Sequence, residues 1–119
     1  MNQTGPTKVY DLEERCFLFA DRTNSYIRKL LKDIPNIENG KQLARSCGSV
    51  AANYIEANEA LSKKDFKMRV KISKKESKES RLWLRLSKPY PDQESEKAIL
   101  IQESVELMKI FGAILEKSK

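Results

Sequence analysis

The fold is decided by residues 62–91, SKKDFKMRVKISKKESKESRLWLRLSKPYP, which predict one long α-helix with a defined start and end. Ser62 is a favourable N-cap, and Asp65 places a carboxylate in the first turn, at the positive end of the helix dipole. Pro89 ends the helix, because proline cannot continue an α-helix and disfavours helical backbone in the residue before it. We therefore predict a helix over residues 63–88.

Basic residues recur along this helix at alternating spacings of three and four, which places all of them on one side. The eight members, which we call the basic row, are Lys64, Lys67, Lys71, Lys74, Lys78, Arg81, Arg85 and Lys88. At ~1.5 Å per residue the row is about 36 Å long. Residues 62–88 carry eleven basic and three acidic side chains, a net charge of +8, whereas the whole chain carries +6.

Two interpretations of the basic row stay open. Like charges at this spacing repel by roughly 0.2–0.5 kcal/mol per pair, and a line of positive charge can bind along a polyanion, of which nucleic acid is the commonest. Alternatively, the row is an ordinary solvated helix face, since lysine is a good helix former. If RNA or DNA binds, recognition should be mainly electrostatic and weakly sequence-specific, because lysine dominates and no base-reading motif is present.

Three further helices are predicted around this one. In the first, apolar or small residues recur with a four–three rhythm from Leu12 to Ile34, and Pro35 stops the helix before a short turn over residues 36–40. No segment alternates with period two, so we predict an all-α, antiparallel up-down-up-down four-helix bundle in a single domain. The predicted segments are a disordered tail at 1–9 and a bundle over 10–117, with helices at about 10–33, 41–61, 63–88 and 93–117.

Length and composition restrict the class of protein. The chain has 119 residues, the usual size of one domain, and no run approaches the ~20 apolar residues of a membrane span. Its first residues lack the basic and apolar regions of a signal peptide, so we expect a cytoplasmic protein. Cys16 and Cys47 occupy apolar helix positions and are interpreted as small buried hydrophobes, because the chain has no His to activate a thiol.

The apolar surface is wider than one small bundle needs. Helix four is apolar over two neighbouring arcs, and Phe17 and Leu18 lie outside the main stripe of helix one. In helix two, the small residues at 44, 48, 51 and 52 would let another helix approach closely. Since a wide apolar surface usually goes against a partner, and most soluble oligomers are symmetric copies of one chain, we expect a homo-oligomer.

Polar side chains on helices two and three form a second candidate site. Its members are Arg45, Ser49, Asn53, Glu56, Lys75, Glu76 and Glu79. We predict a hydrogen-bonded network that fixes the helix register, with Lys75 paired to Glu79, and Asn53 or Glu56 paired to Lys75 or Glu76. The inner face of helix three is predicted to comprise Phe66, Ile72, Ser73, Glu76, Glu79, Trp83 and Leu86.

Catalysis or metal binding by these carboxylates is the alternative to a structural network. Bundle di-metal sites combine four carboxylates with Glu-x-x-His motifs, and this chain has no His. No nucleophile with an adjacent base and no glycine-rich phosphate loop is present either. We therefore expect no metal, no cofactor and no enzyme activity.

The residues of helices two and three resemble a known family, the bacterial four-helix bundle proteins called 23S rRNA intervening-sequence proteins. Their helix-two signature is similar to Ser49-Val50-Ala51-Ala52-Asn53-Tyr54-Ile55-Glu56-Ala57, in the form of the Asn-Tyr-x-Glu-Ala branch. Their helix three is similar to Ser62-Lys63-Lys64-Asp65-Phe66, followed by Lys71-Ile72, Lys75-Glu76, Glu79-Ser80 and Trp83-Leu84. The resemblance covers about residues 10–117 and is strongest from Gln42 to Leu84.

The resemblance implies an all-α bundle encoded in, or related to genes found in, insertions within bacterial large-subunit rRNA genes. It also implies a relationship to the accessory variability determinant protein of diversity-generating retroelements. That relative looks like a barrel of five subunits with a basic surface that binds nucleic acid and reverse transcriptase. By resemblance we expect a homopentamer, RNA or DNA as ligand, and a possible protein partner such as a polymerase-like enzyme. Many relatives in the family have no established role.

Two functions therefore remain from the sequence. The first is a non-enzymatic, oligomeric protein that binds RNA or DNA through the basic row. The second is a protein-interaction scaffold or accessory subunit with no nucleic-acid role of its own, which the wide apolar arcs favour.

Overall fold

The computed structural model describes residues 12–119, which form four α-helices and no strand. The helices are α1 (Leu12–Arg28), α2 (Ile34–Asn58), α3 (Lys63–Leu86) and α4 (Glu94–Lys117), and a 3-10 turn over Pro91–Gln93 precedes α4. Helices adjacent in the chain pack side by side, and α1 returns to α4 through a much smaller interface. The predicted all-α four-helix bundle is therefore confirmed.

The hydrophobic core is built from one stripe of each helix. Its largest fully buried side chains include Tyr26 of α1, Leu43 of α2, Leu84 of α3 and Phe111 of α4. Burying each of these stabilises the fold by roughly 1.5–3 kcal/mol. On α4, Leu100, Leu107 and Phe111 are buried, and the neighbouring Ile101, Ile110, Ile114 and Leu115 are partly buried and pack against the same core. Much of the apolar width of α4 therefore serves this fold rather than a partner.

The start of α2 corrects the predicted boundary. Residues 36–40, predicted as a turn, are helical, and α2 begins at Ile34 rather than near residue 41. Asp33 is the N-cap, since its carboxylate accepts a hydrogen bond from the Asn36 backbone N–H at 2.9 Å. Pro35 lies in the first turn, where its missing N–H leaves no hydrogen bond unmade. The predicted tail at 1–9, and the predicted first residue of helix one, lie outside the described residues.

The buried face of α3 is more polar, and rotated, compared with the prediction. Serines at 73, 77 and 80 are fully buried, and Ser80 shares a 2.8 Å hydrogen bond with Ser46 of α2. Ser73 Oγ donates to the Val50 carbonyl oxygen at 2.9 Å. Leu86, predicted to face inward, is 46% exposed. Serine side chains are small, so α2 and α3 pack closely along this face while every hydroxyl of the contact keeps a partner.

Asn36 joins the two connections at one end of the bundle. It is 3% exposed, and its Nδ2 donates to the carbonyl oxygens of Leu31 at 2.9 Å and Lys88 at 3.0 Å. Its Oδ1 accepts from the Lys88 backbone N–H at 3.0 Å. The α1–α2 connection is thereby fixed to the segment after α3, and so is the last residue of the basic row.

Replacing Asn36 with alanine should destabilise the protein. The change removes all three of these hydrogen bonds and leaves backbone groups of Leu31 and Lys88 without their partner, at a cost of about 1–3 kcal/mol. Urea unfolding followed by circular dichroism measures the loss as a lower midpoint.

Asn39→Ala is the matched control for Asn36→Ala. Asn39 lies three residues further along α2, and within residues 12–119 its side chain makes no hydrogen bond. The control should change the unfolding free energy little. Equal midpoints for the two variants would show that the Asn36 bonds do not stabilise the bundle.

Candidate functional site

The basic row follows α3 along its length, and most of its side chains are open to solvent. The exposed members are Lys64, Lys71, Lys74, Lys78, Arg85 and Lys88, while Lys67 and Arg81 are half-buried. Lys88 lies two residues beyond the end of α3, in the segment that Asn36 holds. The helix places the first seven charges on one face, and the Asn36 contact fixes the backbone of the eighth residue, Lys88.

Within residues 12–119, no carboxylate forms an ion pair with any member of the basic row. The acidic residues of α3 lie elsewhere on the helix. Glu76 and Glu79 bind Arg45 of α2, and Asp65 lies 3.9 Å from Arg69. The charge of the row is therefore not neutralised by the described part of the chain, and a line of like charge on a protein surface concentrates anions near it.

The row borders α4 on one side. A Cβ atom at Gly112 of α4 would lie 3.7 Å from Nζ and 3.8 Å from Cε of Lys74, an ordinary van der Waals distance. The end of the Lys74 side chain thus lies next to the α4 backbone, although the residue as a whole stays exposed. Long basic side chains commonly cover apolar surface in this way and keep the charged group in water.

Two shallow depressions lie along α3. The first is lined by Ser62, Lys63, Lys64, Asp65, Lys67, Met68 and Lys71, and the second by Lys75, Lys78, Glu79, Arg81, Leu82 and Arg85. Both combine several cations with one large apolar side chain, Met68 in the first and Leu82 in the second. Their linings come from α3 and its N-cap alone, so the surface is open rather than an enclosed ligand pocket.

The end of α3 is stabilised by a lysine of α4. Lys97 Nζ donates hydrogen bonds to the carbonyl oxygens of Ser87 at 2.8 Å and Arg85 at 3.3 Å. A cation at a helix C-terminus also interacts favourably with the helix dipole. This contact, like that of Asn36, holds the backbone from which the last members of the basic row project.

The predicted polar network has a different centre from the one expected. Arg45 donates to Glu76 at 3.1 Å and to Glu79 at 2.8 Å, so one guanidinium of α2 bridges two carboxylates of α3. The Glu76 side chain is 8% exposed, which makes its pairing with Arg45 important for the fold. The expected Lys75–Glu79 pair was wrong, because Glu79 turns across the helix interface to Arg45 instead.

The remaining members of the network lie apart from this centre. Asn53 Nδ2 donates to the backbone and side-chain oxygens of Ser49, each at 3.0 Å, and Asn53 Oδ1 accepts from Arg69 at 3.2 Å. Glu56 and Lys75 are exposed, and neither forms an ion pair within residues 12–119. The cross-helix partner of Asn53 is therefore Arg69, which the sequence reasoning missed, and not Lys75 or Glu76.

Sequence reasoning also missed the ion pairs between α1 and α4. Arg15 binds Glu103 through two hydrogen bonds, at 2.7 and 2.9 Å, and Arg22 binds Glu96 in the same way, at 2.5 and 2.9 Å. Hydrogen bonding to Glu103 raises the pKa of the Arg15 guanidinium, against the opposing effect of burial. The sequence contains the pattern that predicts these pairs. Arg15 and Arg22 are seven residues apart on α1, and Glu96 and Glu103 are seven residues apart on the antiparallel helix α4.

Comparison with known proteins assigns the chain to a family. The sequence profile of the 23S rRNA-intervening sequence protein family matches residues 10–112. This chain belongs to that family. It is also similar to a solved protein of unknown function from the S23 ribosomal protein family of Bacteroides thetaiotaomicron VPI-5482, with 27% identity, a TM-score of 0.73, and coverage of 87% of this chain and 96% of that one. Among curated proteins, none matches the chain.

The two cysteines of this family member are buried and are not a nucleophilic site. Cys16 and Cys47 are both fully buried and free. Burial raises the pKa of the Cys16 thiol to about 12 and that of the Cys47 thiol to about 11. Both thiols therefore stay protonated at neutral pH and pack as small hydrophobic groups, as the sequence indicates.

Residues 12–119 contain no group of three or more His, Cys, Asp or Glu side chains arranged to hold a metal ion. In the same range, no helix combines the length and the apolar character needed to cross a bilayer.

Neither thiol should react with an aromatic disulfide reagent in the native protein near neutral pH. With a pKa of about 11 or above, on the order of one thiol in a thousand or fewer is ionised at about pH 8, and burial blocks access. Absorbance of the released thiolate measures the reaction. The denatured protein is the control, and it should react rapidly at both cysteines; fast labelling under native conditions would mean that the core around α1 and α2 opens readily.

Proposed function

We propose that this protein is a non-enzymatic member of its family that binds RNA or DNA through the basic row. The observation that carries the proposal is the combination of seven cations on one face of α3, followed by Lys88, with the lack of any ion pair to these eight residues within residues 12–119. On an ordinary solvated face, neighbouring acids would commonly lower the repulsion between the lysines. Here the acids of α3 are turned away, and phosphates of a ligand would supply the missing negative charge.

The chemistry of the row supports contacts to phosphate rather than to bases. Six of its eight members are lysines, whose ammonium groups act as flexible point charges and do not fit one base edge better than another. Each phosphate neutralised on a duplex contributes about −0.9 to the slope of log K against log salt concentration. With five to eight contacts, the slope would be about −4 to −7.

Charge reversal in the middle of the row tests the proposal. Changing Lys71, Lys74 and Lys78 together to glutamate should weaken nucleic-acid binding at least about tenfold and reduce the salt slope by roughly three, about one per lost phosphate contact. Lys71, Lys74 and Lys78 are all exposed, so the bundle should still fold. Filter binding across a salt series measures both quantities, and circular dichroism checks the fold.

A matched control changes Arg28, Lys29 and Lys32 together to glutamate. These residues are exposed and outside the row, at the α1–α2 connection, which lies at the Lys88 end of the row rather than at its middle, and the change in net charge is the same. The control should keep most of the affinity and nearly the full salt slope. If both variants lose binding equally, net charge alone is responsible; if the α3 variant binds normally, the row is not the binding surface.

We also propose that the protein self-associates, as the pentamer that the resemblance of its sequence to the family of the accessory variability determinant protein implies. The supporting surface is a strip on α2, which we call the α2 strip and which comprises Ile37, Ala44, Gly48, Ala51 and Ile55, with Lys41 between its first two members. All its members except half-buried Ala51 are exposed, and no atom lies within 4 Å of a Cβ placed at Gly48. Glycine inside a helix costs about 0.5–1 kcal/mol relative to alanine, which a close approach by a second copy would offset.

Gly48→Arg tests the α2 strip. The single subunit has open space there, so a large charged side chain should leave the bundle folded but block a second copy. Light scattering should show particles of several subunits for the natural protein and the 13.7 kDa monomer for the variant. Ala113→Arg, at an exposed position of α4, is the control and should leave the assembly intact. A monomeric natural protein, or an unchanged mass for Gly48→Arg, would contradict this proposal.

The scaffold function remains the second candidate, with a polymerase-like enzyme as the partner class that the family relationship implies. It is favoured by the exposed apolar side chains of α3 at Met68, Leu82 and Leu86, which are 45–47% exposed. These lie close to the basic row, so an acidic protein surface could contact both. The salt series separates the two functions, because a scaffold without a nucleic-acid role would bind neither RNA nor DNA.

A further inference from the structure

We infer that the ligand of the basic row is a double-stranded nucleic acid, held by its phosphate backbone, rather than a single strand. This inference rests on the proposed function, since it specifies which polyanion occupies the same surface. It is carried by two features of the described residues: the lack of stacking surfaces beside the row, and the rigid, regular placement of its charges.

Aromatic side chains are almost absent from the exposed surface around the row. In the described range, Phe17 and Tyr90 are the large aromatic residues with extensive exposure, at 54% and 47%. Phe17 lies on α1, which packs against α2 and α4 rather than α3. Tyr90 follows Lys88 by two residues, so it lies at the end of the row and not along it.

The two aromatic residues of α3 are directed inward. Phe66 and Trp83 are half-buried and pack against the hydrophobic core, and the indole nitrogen of Trp83 is inaccessible to solvent. The large apolar groups in the depressions along α3 are instead Met68 and Leu82, which have no π face. Proteins that hold single strands gain about 1–3 kcal/mol for each base stacked on an aromatic ring. A single strand on this surface would gain almost none of that energy.

The placement of the charges favours a stiff ligand. The first seven members of the row are three or four residues apart on α3, which corresponds to a rise of about 5 Å per member. A duplex is nearly straight over the ~32 Å that these seven members span, because its persistence length is about 150 base pairs. A flexible single strand must lose conformational freedom to follow the same line, so the duplex is the better pre-organised partner.

Charge density adds to this preference. A duplex presents one phosphate per about 1.7 Å of its axis, and each contact releases more counterions than on a single strand, about 0.9 against 0.7 per charge. Purely electrostatic binding is therefore stronger on the duplex, and without stacking no competing term favours the single strand.

Fluorescence anisotropy with four probes tests the inference. The probes are DNA and RNA duplexes of about 20 base pairs, roughly two helical turns, and polythymidylate and polyuridylate strands of the same length. In the full-length protein at low salt, at least one duplex should bind about tenfold more tightly than either single strand. The comparison of the two duplexes identifies whether the A-form or the B-form is preferred.

The outcomes separate this inference from the proposed function. Binding of a single strand as tightly as the duplexes, or more tightly, overturns the duplex preference but leaves the basic row as a nucleic-acid site. Failure of all four probes to bind overturns both. A duplex preference that is lost when Lys71, Lys74 and Lys78 are changed to glutamate supports both.

Tyr90→Ala provides a second, independent test. If recognition depends on phosphates alone, removing this exposed ring should change duplex affinity less than about twofold. Tyr90→Phe keeps the ring and is the matched control. A loss of several-fold in Tyr90→Ala, restored in Tyr90→Phe, would show that a base stacks at the end of the row and would contradict a duplex held only by its backbone.

Discussion

The close contact between α2 and α3 is the constraint on which the rest of the structure depends. α3 has few large apolar side chains to bury, and it instead buries serines that hydrogen-bond to α2, at Ser46–Ser80 and from Ser73 to the Val50 carbonyl oxygen. Each bond contributes only about 1 kcal/mol net, but a buried hydroxyl without its partner would cost more. The serines therefore specify both the depth and the rotation of α3 against α2.

That rotation decides the electrostatics of the surface. With the serines facing α2, Glu76 and Glu79 fall on the α2 side of α3 and bind Arg45, while the basic row falls toward solvent and α4. Glu76 and Glu79, which are interspersed with lysines in the sequence of α3, are thus separated in space from the basic row. The internal ion pairs and the unneutralised row are two consequences of one helix orientation.

The sequence predicted the parts of this arrangement that depend on local rules. Ser62 as N-cap placed the start of α3, and the three–four spacing placed the basic row on one face. The start of α2 was not predicted, because Pro35 is compatible with either the end of one helix or the start of the next. In the structure the Asp33 N-cap places Pro35 in the first turn of α2. Periodicity also leaves the absolute rotation of a helix open, so Leu86 was placed inside, and Lys75 was paired with Glu79, which binds Arg45 instead.

The repulsion between neighbouring cations of the basic row lowers the stability of the free protein. Six neighbouring pairs within α3 cost together about 1–3 kcal/mol, a noticeable part of the 5–15 kcal/mol by which a domain is usually stable. An anionic ligand removes this cost as it binds, so the same charges that weaken the free bundle strengthen the complex. A scaffold that binds only through apolar side chains gains nothing from the row, and mixed charges would serve it better. The unneutralised row is therefore easier to explain by a polyanion than by solubility alone.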